Sequence, residues 1–296
     1  MGKQKKTGSA DTLYKVFIYV TLITLTILII VPVAWVFLAS VKQNSEFYGN
    51  PWALPAGFYW QNFVDAWNAA SMGSYMLNSV IVTALALALL LVIALPAAYC
   101  LSRFQFRGSK LLNTCFMAGL FINVNYIVVP IFLMFKDGDA WLTKLLGHGF
   151  LMNNLFTLAL VYASTALPFT IYLLSGYFAT LPHDFEEAAY IDGAGYGTTM
   201  VRVIFPMAQP SIITIILFNF LSFWNEYIIS MTLMSSATGQ KTLPVGLLNL
   251  MQAAQAKTEY GRQYAGLVLV MLPTLILYMC VQKKLTQGMT VGGLKG

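Results

Sequence analysis

Residues 75–101 read YMLNSVIVTALALALLLVIALPAAYCL, a run that contains no acidic or basic side chain. A helix needs about 20 predominantly apolar residues to cross a hydrocarbon core of about 30 Å, because each residue adds about 1.5 Å. A helix on the surface of a soluble domain would instead alternate apolar and polar positions with its turn. This stretch therefore predicts a helix that crosses a lipid bilayer.

Five further runs repeat the pattern on either side of this one. The chain is 58% hydrophobic and 9% charged, whereas about a quarter of the residues are charged in a typical soluble protein. We therefore predict an all-α, polytopic transmembrane bundle with a basic head (1–15), one membrane domain (16–282) and a tail (283–296). The six predicted spans are about Val16–Val41, Tyr75–Leu101, Leu111–Phe135, Met152–Phe178, Ser211–Met234 and Tyr264–Gln282.

The first predicted span has an alternative interpretation as a cleaved secretory signal. It follows four lysines, Lys3, Lys5, Lys6 and Lys15, and a signal also begins with a basic segment. Its apolar stretch is about twice as long as the core of a usual signal. We therefore favour a retained span.

Lysine and arginine lie between the apolar runs, and the formal net charge is +6. Cations on one face would favour a nucleic-acid partner, but cations in short loops are typical of the cytoplasmic side of a membrane protein. With an even number of spans, both termini are predicted to be cytoplasmic, in a multi-pass protein of the cell membrane. The cytoplasmic cations would then include Arg103, Arg107, Lys110, Arg202, Lys283 and Lys284.

The sequence contains no pattern typical of a metal site, a disulfide or a nucleotide site. Cys100, Cys115 and Cys280 form no CxxC pair and have no ligand spacing with the two histidines, so we predict buried packing residues and no metal. No GxxxxGK[ST] loop is present. The chain is therefore predicted to bind no ATP and to need no cofactor of its own.

A polar stretch between the fourth and fifth spans reads LPHDFEEAAYIDGAGYGTTMVRVIFP, from Leu181 to Pro206. Asp184 and Glu187 suit a helix start, where a carboxylate can cap free amides and the helix dipole favours negative charge. Ala188 and Ala189 would leave room for a partner, Glu186, Glu187 and Asp192 would surround that contact with negative charge, and Gly193 would permit a tight reversal. A second short helix is predicted from about Thr198 to Ile204, ended by Pro206. Periodicity alone would favour a simpler interpretation of this loop (180–207), as an interfacial connector.

These residues resemble the EAA loop of the permease subunits of bacterial ABC importers. The family pattern is Glu-Ala-Ala, three residues, Gly, nine residues, Ile, one residue, Leu-Pro. Glu187-Ala188-Ala189, Gly193 and Pro206 match it at the right spacing, while Val203 and Phe205 replace the Ile and Leu. The likeness extends over most of the chain after Tyr75 and is greatest to the carbohydrate class, the maltose-type G permease. Supporting stretches are Leu77–Ser79, Leu167–Phe169, Trp224–Tyr227, Thr242–Gly246 and Gly288–Gly296.

The resemblance implies a type I importer permease that moves a sugar, an oligosaccharide or a related polar solute inward by alternating access. Its partners would be a second homologous permease, two cytoplasmic ATPase subunits that bind ATP and Mg, and an extracellular solute-binding protein. Glu187 would face basic groups of the ATPase. Gly292, Gly293 and Lys295 are secondary candidates for that contact, and the loop Gln252–Tyr260 is a candidate contact for the binding protein.

Polar side chains within the predicted spans have two interpretations. An ionised acid at mid-bilayer costs roughly 2.5 to 3.5 kcal/mol, so Glu226 should face protein or water. Amides, a carboxylate and an aromatic ring suit a sugar pathway, but the same groups also join helices in bundles. The set is Asn123, Asn125, Asn219, Trp224, Asn225 and Glu226.

Two other functions compete with the importer. An ion-coupled secondary transporter could use Glu226 as its ion site, but it leaves the EAA loop unexplained. A membrane enzyme would need clustered catalytic groups, and this sequence has two distant histidines, His148 and His183.

Overall fold

The computed structural model describes residues 9–69, 71–235 and 240–293, with side chains described from residue 13 to residue 282 within those ranges. These residues form helices and turns, and no β-strand occurs among them. The helices are α1 (Ser9–Ser40), α2 (Gln61–Ala69), α3 (Met72–Arg103), α4 (Ser109–Gly119), α5 (Val124–Leu146), α6 (Leu155–Thr180), α7 (Asp184–Ile191), α8 (Tyr196–Thr199), α9 (Phe205–Met207), α10 (Gln209–Asn225), α11 (Ile228–Leu233), α12 (Leu243–Ala256) and α13 (Tyr260–Gly293). A 3₁₀ turn covers Asn44–Phe47, and a π-helical turn covers Met200–Ile204.

Four of the described helices are long and apolar enough to cross a membrane: Leu13–Ser40 within α1, α3, α6, and Tyr260–Gln282 within α13. Two bent pairs bring the number to six when each pair forms one span. They are α4 with α5, bent by 105°, and Tyr196–Met207 with α10, bent by 77°. The all-α membrane architecture predicted from hydropathy is confirmed.

Two predicted spans are interrupted where the sequence suggested a continuous run. The third breaks between Gly119 and Val124, where the Asn123 side chain accepts from the Asn125 amide at 2.9 Å and starts α5 anew. α5 then continues past Phe135 to Leu146. The fifth breaks at Glu226, whose extended backbone separates α10 from α11. Hydropathy records composition and does not record such backbone breaks.

The described residues divide into two compact units. The first contains the residues before position 70 together with residues 249–269, and the second contains residues 71–248 together with those from 270 onward. In the first unit, the Asn62 amide donates to the carbonyls of Ser40 and Lys42 at 2.9 and 2.8 Å. Asn44 donates to the Thr258 carbonyl at 2.6 Å and accepts from the Tyr260 amide at 2.9 Å. These bonds join the segment after α1 to the turn that separates α12 from α13.

The second unit is built on the packing of α3 against α6. Ala86, Leu90, Ala94 and Ala98 recur every fourth residue along α3, and all four are fully buried. Small residues at this spacing let the backbones of two membrane helices approach closely. Leu158, Tyr162, Leu174 and Phe178 are buried on α6. This packing brings the ends of α3 and α6 together, so the 181–206 loop begins beside Arg103.

Candidate functional site

Helix α7 forms the first part of the polar loop and begins at the predicted residue, Asp184. Its first turn carries Asp184, Glu186 and Glu187, which the positive end of the helix dipole favours. The prediction that a carboxylate caps the start of this helix is wrong. No side-chain oxygen among the described residues accepts from the free amides, because the N-cap position falls on His183 rather than on an acid.

Gly193 makes the tight reversal that the sequence predicted. Its φ is +79°, in the left-handed region, where a side chain would be strained. The Ala194 amide donates to the Ala189 carbonyl at 2.9 Å, and the Gly193 amide donates to the Tyr190 carbonyl at 3.0 Å. These two bonds form a Schellman motif that ends α7.

The second half of the loop is helical but irregular. α8 passes into the π turn, in which the Phe205 amide donates to the Met200 carbonyl, five residues back. Pro206 does not end the helix as predicted. It lies in the first turn of α9, where a missing amide proton costs little, and the chain bends two residues later, before α10.

Glu186 lies inside the protein and is 8% exposed. Its Oε1 accepts from the Tyr99 hydroxyl at 2.9 Å and lies 3.4 Å from the Arg103 Nε. Its Oε2 lies 3.1 Å from the His183 Nδ1. We call Tyr99, Arg103, His183 and Glu186 the anchor cluster. The cluster joins the end of α3 to the start of α7.

Arg103 contacts Glu186 and His183 within the anchor cluster, and its side chain is 2% exposed. Its Nη2 donates to the Leu181 carbonyl at 2.7 Å, and its Nη1 lies 3.1 Å from the His183 Nε2. Because arginine only donates and a carboxylate accepts, one neutral histidine tautomer satisfies both contacts, with its proton on Nδ1 facing Glu186.

The opposite side of α7 faces outward. We define the α7 face as Phe185, Glu187, Ala188, Ile191 and Asp192, all of which are exposed. Ile191 is 87% exposed, a large fraction for an aliphatic side chain. Ala189, by contrast, is buried. The α7 face therefore combines apolar side chains, a small residue and two carboxylates, a composition that suits a protein partner better than water.

Two tyrosines within this loop are in contact. The Tyr190 and Tyr196 rings lie 5.3 Å apart between centroids in an edge-on arrangement. Desolvation, and then the nearby Tyr196 hydroxyl, raise the pKa of Tyr190 above its usual value of 10.0. Tyr190 therefore stays neutral beside the acidic residues of α7.

The structure thus separates the predicted loop residues into two groups. Glu187, Ala188 and Asp192 lie on the α7 face, whereas Glu186 and Ala189 face into the protein. Sequence reasoning missed Tyr99 and Arg103, although their spacing of four residues places them on one side of α3. Of the tail residues, Gly292 and Gly293 end α13, and Lys295 lies outside the described residues.

Two of the predicted pathway residues are buried between helices. The Asn219 amide donates to the Thr170 hydroxyl on α6 at 3.1 Å and to the Ile215 carbonyl at 2.9 Å. The Trp224 Nε1 donates to the Val270 carbonyl on α13 at 3.3 Å. These contacts fit the alternative in which polar groups join helices.

Glu226 lies at the break after α10 and receives three hydrogen bonds. The Tyr162 hydroxyl donates to its Oε2 at 2.7 Å. The Ile229 and Ser230 amides donate at 2.8 and 3.1 Å, so the carboxylate also caps the start of α11. This role satisfies an acid that lipid could not solvate.

The remaining predicted pathway residues, Asn123, Asn125 and Asn225, are exposed. Asn225 donates to the Leu221 carbonyl at 2.8 Å, and Asn123 caps α5. All three stay predictions for a solute pathway. The cysteines are exposed as well, so the prediction of buried packing is wrong for them. Among the described residues, no group of three or more potential ligands could hold a metal ion.

The bent and straight helices, with a short helix attached at the ends of α3 and α6, define a polytopic membrane protein. The fold matches a chain in the crystal structure of a bacterial ABC transporter involved in the import of the acidic polysaccharide alginate. The TM-score is 0.79 and the identity 24%, covering 95% of this chain and 99% of that one.

The chain belongs to the family of binding-protein-dependent transport system inner membrane components, whose pattern matches residues 90–291. It is 32% identical to the diacetylchitobiose uptake system permease protein NgcG of Streptomyces coelicolor, over 96% of this chain and 90% of the relative. It is 27% identical to the trehalose/maltose transport system permease protein MalG of Thermococcus litoralis, over 97% and 99%. The resemblance to the permease family is confirmed.

Proposed function

We propose that this chain is the permease subunit of an ATP-driven importer and that the α7 face docks on a separate ATPase. The observation that carries the proposal is the division of α7 into an anchored side and an exposed side. Glu186 fixes the helix from within, while Ile191, Phe185 and Glu187 remain free for a partner. A helix that only connected two spans would need no exposed apolar surface.

The proposed solute is a sugar or an oligosaccharide. Support comes from the relatives, whose names specify diacetylchitobiose, trehalose and maltose uptake. Exposed amides such as Asn123, Asn125 and Asn225 can hydrogen-bond to hydroxyl groups. These three residues are our candidates for the pathway, ahead of Asn219, Trp224 and Glu226, whose side chains are buried or half-buried.

The proposed assembly contains a second homologous permease, two ATPase subunits that bind ATP and Mg, and an extracellular solute-binding protein. Both termini would be cytoplasmic, six spans would cross the cell membrane, and alternating access would move the solute between the two permeases. Gly292, Gly293 and Lys295 would lie near the ATPase. The segment Gln252–Tyr260 would contact the binding protein.

An ion-coupled carrier that uses Glu226 gains no support from the geometry. The carboxylate already accepts from Tyr162, Ile229 and Ser230. An ion or proton at this site would displace donors that start α11.

The test is Glu187→Lys in the complete importer, with Asp137→Lys as the matched control. Asp137 is an exposed acid on α5, outside the loop, so its reversal changes net charge equally. We expect Glu187→Lys to reduce co-purification of the ATPase subunits about tenfold, because an exposed acid facing basic groups would become repulsive. Asp137→Lys should leave it unchanged. Equal recovery of ATPase with both variants would contradict docking on the α7 face.

A further inference from the structure

The contacts of α7 determine how a movement of this helix could reach the membrane helices. A docked helix can drive membrane helices only if it is rigidly connected to them. Its covalent connection runs back through Leu181–His183 to α6, and Leu181 has an extended backbone. A short extended link transmits little torque by itself, so the non-covalent contacts must supply the rigidity.

The hydrogen bonds and the ion pair at the start of α7 join it to α3 rather than to α6. Tyr99 and Arg103 both hold the Glu186 carboxylate, and Arg103 also bonds to the Leu181 carbonyl and contacts His183. α3 is therefore joined to this region at three successive points: Leu181 at the start of the link, the N-cap residue His183, and Glu186 in the first turn of α7. Because the side chains of Arg103 and Glu186 are buried, their ion pair is stronger than it would be in water.

A row of aromatic rings runs beside the anchor cluster. The Tyr99 ring contacts Phe178 of α6 at 6.0 Å and Phe104 at 5.6 Å between centroids, both edge-on. Phe104 in turn lies 5.6 Å from Tyr196, which contacts Tyr190 of α7. The end of α3 is thus packed against both halves of the loop. Tyr99 belongs both to the anchor cluster and to the aromatic row, and the row continues through Phe104, the residue directly after α3.

We propose that Tyr99 and Arg103 are positioning residues that fasten α7 to the end of α3, so that a movement of α7 turns α3 with it. This inference rests on the proposed docking of an ATPase on the α7 face. It assigns α3 as the helix that receives the movement directly, whereas α6 is connected through Leu181–His183. Glu186 acts as the inner attachment point, and Glu187 acts as the outer one.

The experiment follows α3 by spin-label distances in the importer complex reconstituted with its own ATPase subunits. Cys100 lies on α3 and Cys280 on α13, and both are exposed, so native cysteines accept the labels once Cys115 is replaced by serine. The distance between the labels is measured without nucleotide and with a non-hydrolysable ATP analogue. The variants are Glu186→Gln and Arg103→Gln, with the exposed Arg107→Gln as the control for lost charge.

We expect the ATP analogue to change the distance between the labels on Cys100 and Cys280 in the parent chain, which carries only the Cys115 replacement, and in Arg107→Gln. Both cluster variants should retain ATPase association within about twofold but show less than about half of the distance change, since residues that couple two elements shift that coupling by such amounts. The exchanged pair, Arg103→Glu with Glu186→Arg, should recover part of the change, because it restores the attraction between these two positions but not the hydrogen bond to the Leu181 carbonyl.

The outcomes separate the two proposals. Failure of the unaltered chain to bind the ATPase subunits would remove the proposed function itself. With the ATPase bound, an unchanged label distance in the parent, or a full change in Glu186→Gln and Arg103→Gln, would overturn the anchor proposal alone. Loss of ATPase association in both variants, or no recovery in the exchanged pair, would reduce the cluster to a folding element and would also overturn it.

Discussion

Two carboxylates of the second unit, Glu186 and Glu226, are both withdrawn from water but are stabilised in different ways. Glu186 lies beside a cation from another helix, since Arg103 approaches its Oε1 at 3.4 Å. Glu226 is held by neutral donors, the Tyr162 hydroxyl and two amides of the helix that follows it. Among the described residues, no lysine or arginine forms an ion pair with Glu226.

The difference separates a long-range attachment from a local cap. Glu186 and Tyr99 lie 87 positions apart in the chain, so their bond fixes two distant elements. Two of the three donors to Glu226 lie within four residues of it, so that carboxylate mainly shapes the break between α10 and α11. Removing a partner of Glu186 should therefore disturb α7 more than removing a partner of Glu226 disturbs α11.

The largest effect is expected from removing the cation, in Arg103→Gln. A buried carboxylate left without its cation costs about 3 kcal/mol. Because each 1.4 kcal/mol corresponds to a factor of about ten, amides of α7 should exchange hydrogen roughly a hundredfold faster. Hydrogen exchange of residues 184–192 in detergent measures this directly. Arg107→Gln is the control, and equal exchange in both variants would show that the ion pair does not hold α7.

A smaller effect is expected from Glu226→Gln. The side-chain amide can still accept one or two hydrogen bonds, but its NH₂ group opposes a donor, at a cost of about 1 kcal/mol. The Ile229 and Ser230 amides should exchange roughly fivefold faster, while those of α7 stay unchanged. Tyr162→Phe should produce an overlapping loss, so the double variant should cost less than the sum of the two.

Uptake distinguishes this structural role of Glu226 from a place in the solute pathway. If the carboxylate is a cap, Glu226→Gln should lower the amount of active importer without altering the solute concentration for half-maximal uptake. A marked change in that concentration, with α11 still protected, would return Glu226 to the pathway.

Local chemistry explains what the sequence could predict. Long uncharged runs predict membrane helices because hydropathy depends on neighbouring residues. α3 includes the predicted second span, and α6 covers the predicted fourth span from Leu155 onward. The start of α7 at Asp184 and the reversal at Gly193 also depend on residues within one turn. The family resemblance depended on the same loop, since Glu187, Gly193 and Pro206 occur at fixed spacing.

What the sequence could not predict depends on contacts between distant residues or on backbone geometry. Arg103 looked like an ordinary basic residue in a loop, because its partner Glu186 lies on another element. The bend before α5 falls within an apolar stretch, where Asn123 gave the single polar signal. Pro206 was expected to end a helix, but the π turn before it lets the chain continue into α9.

A third carboxylate, Glu46 in the segment after α1, tests the same type of contact in an exposed setting. The Ala56 amide donates to its Oε2 and the Gln43 amide to its Oε1, each at 2.9 Å. These backbone bonds, that from Ala56 first, lower the pKa of Glu46 below its usual value of 4.5. Because the folded pKa is the lower one, the stabilisation is fully present above the unfolded value and is lost as the pH falls through the folded value.

This smallest effect should be measurable as local hydrogen exchange at Ala56 and Gln43, corrected for the intrinsic pH dependence. Protection should be constant above the usual pKa of 4.5 and should fall as acid protonates the carboxylate, since a protonated acid is a weaker acceptor for two amides. Glu46→Gln should remove the pH dependence. Asp65→Asn is the control, because Asp65 accepts from the Gln61 side chain rather than from these amides, so the dependence should persist. If protection in Glu46→Gln declined with pH as it does in the unsubstituted chain, the effect would belong to another group. Stabilisation of carboxylates by backbone amides would then be limited to half-buried sites such as Glu226.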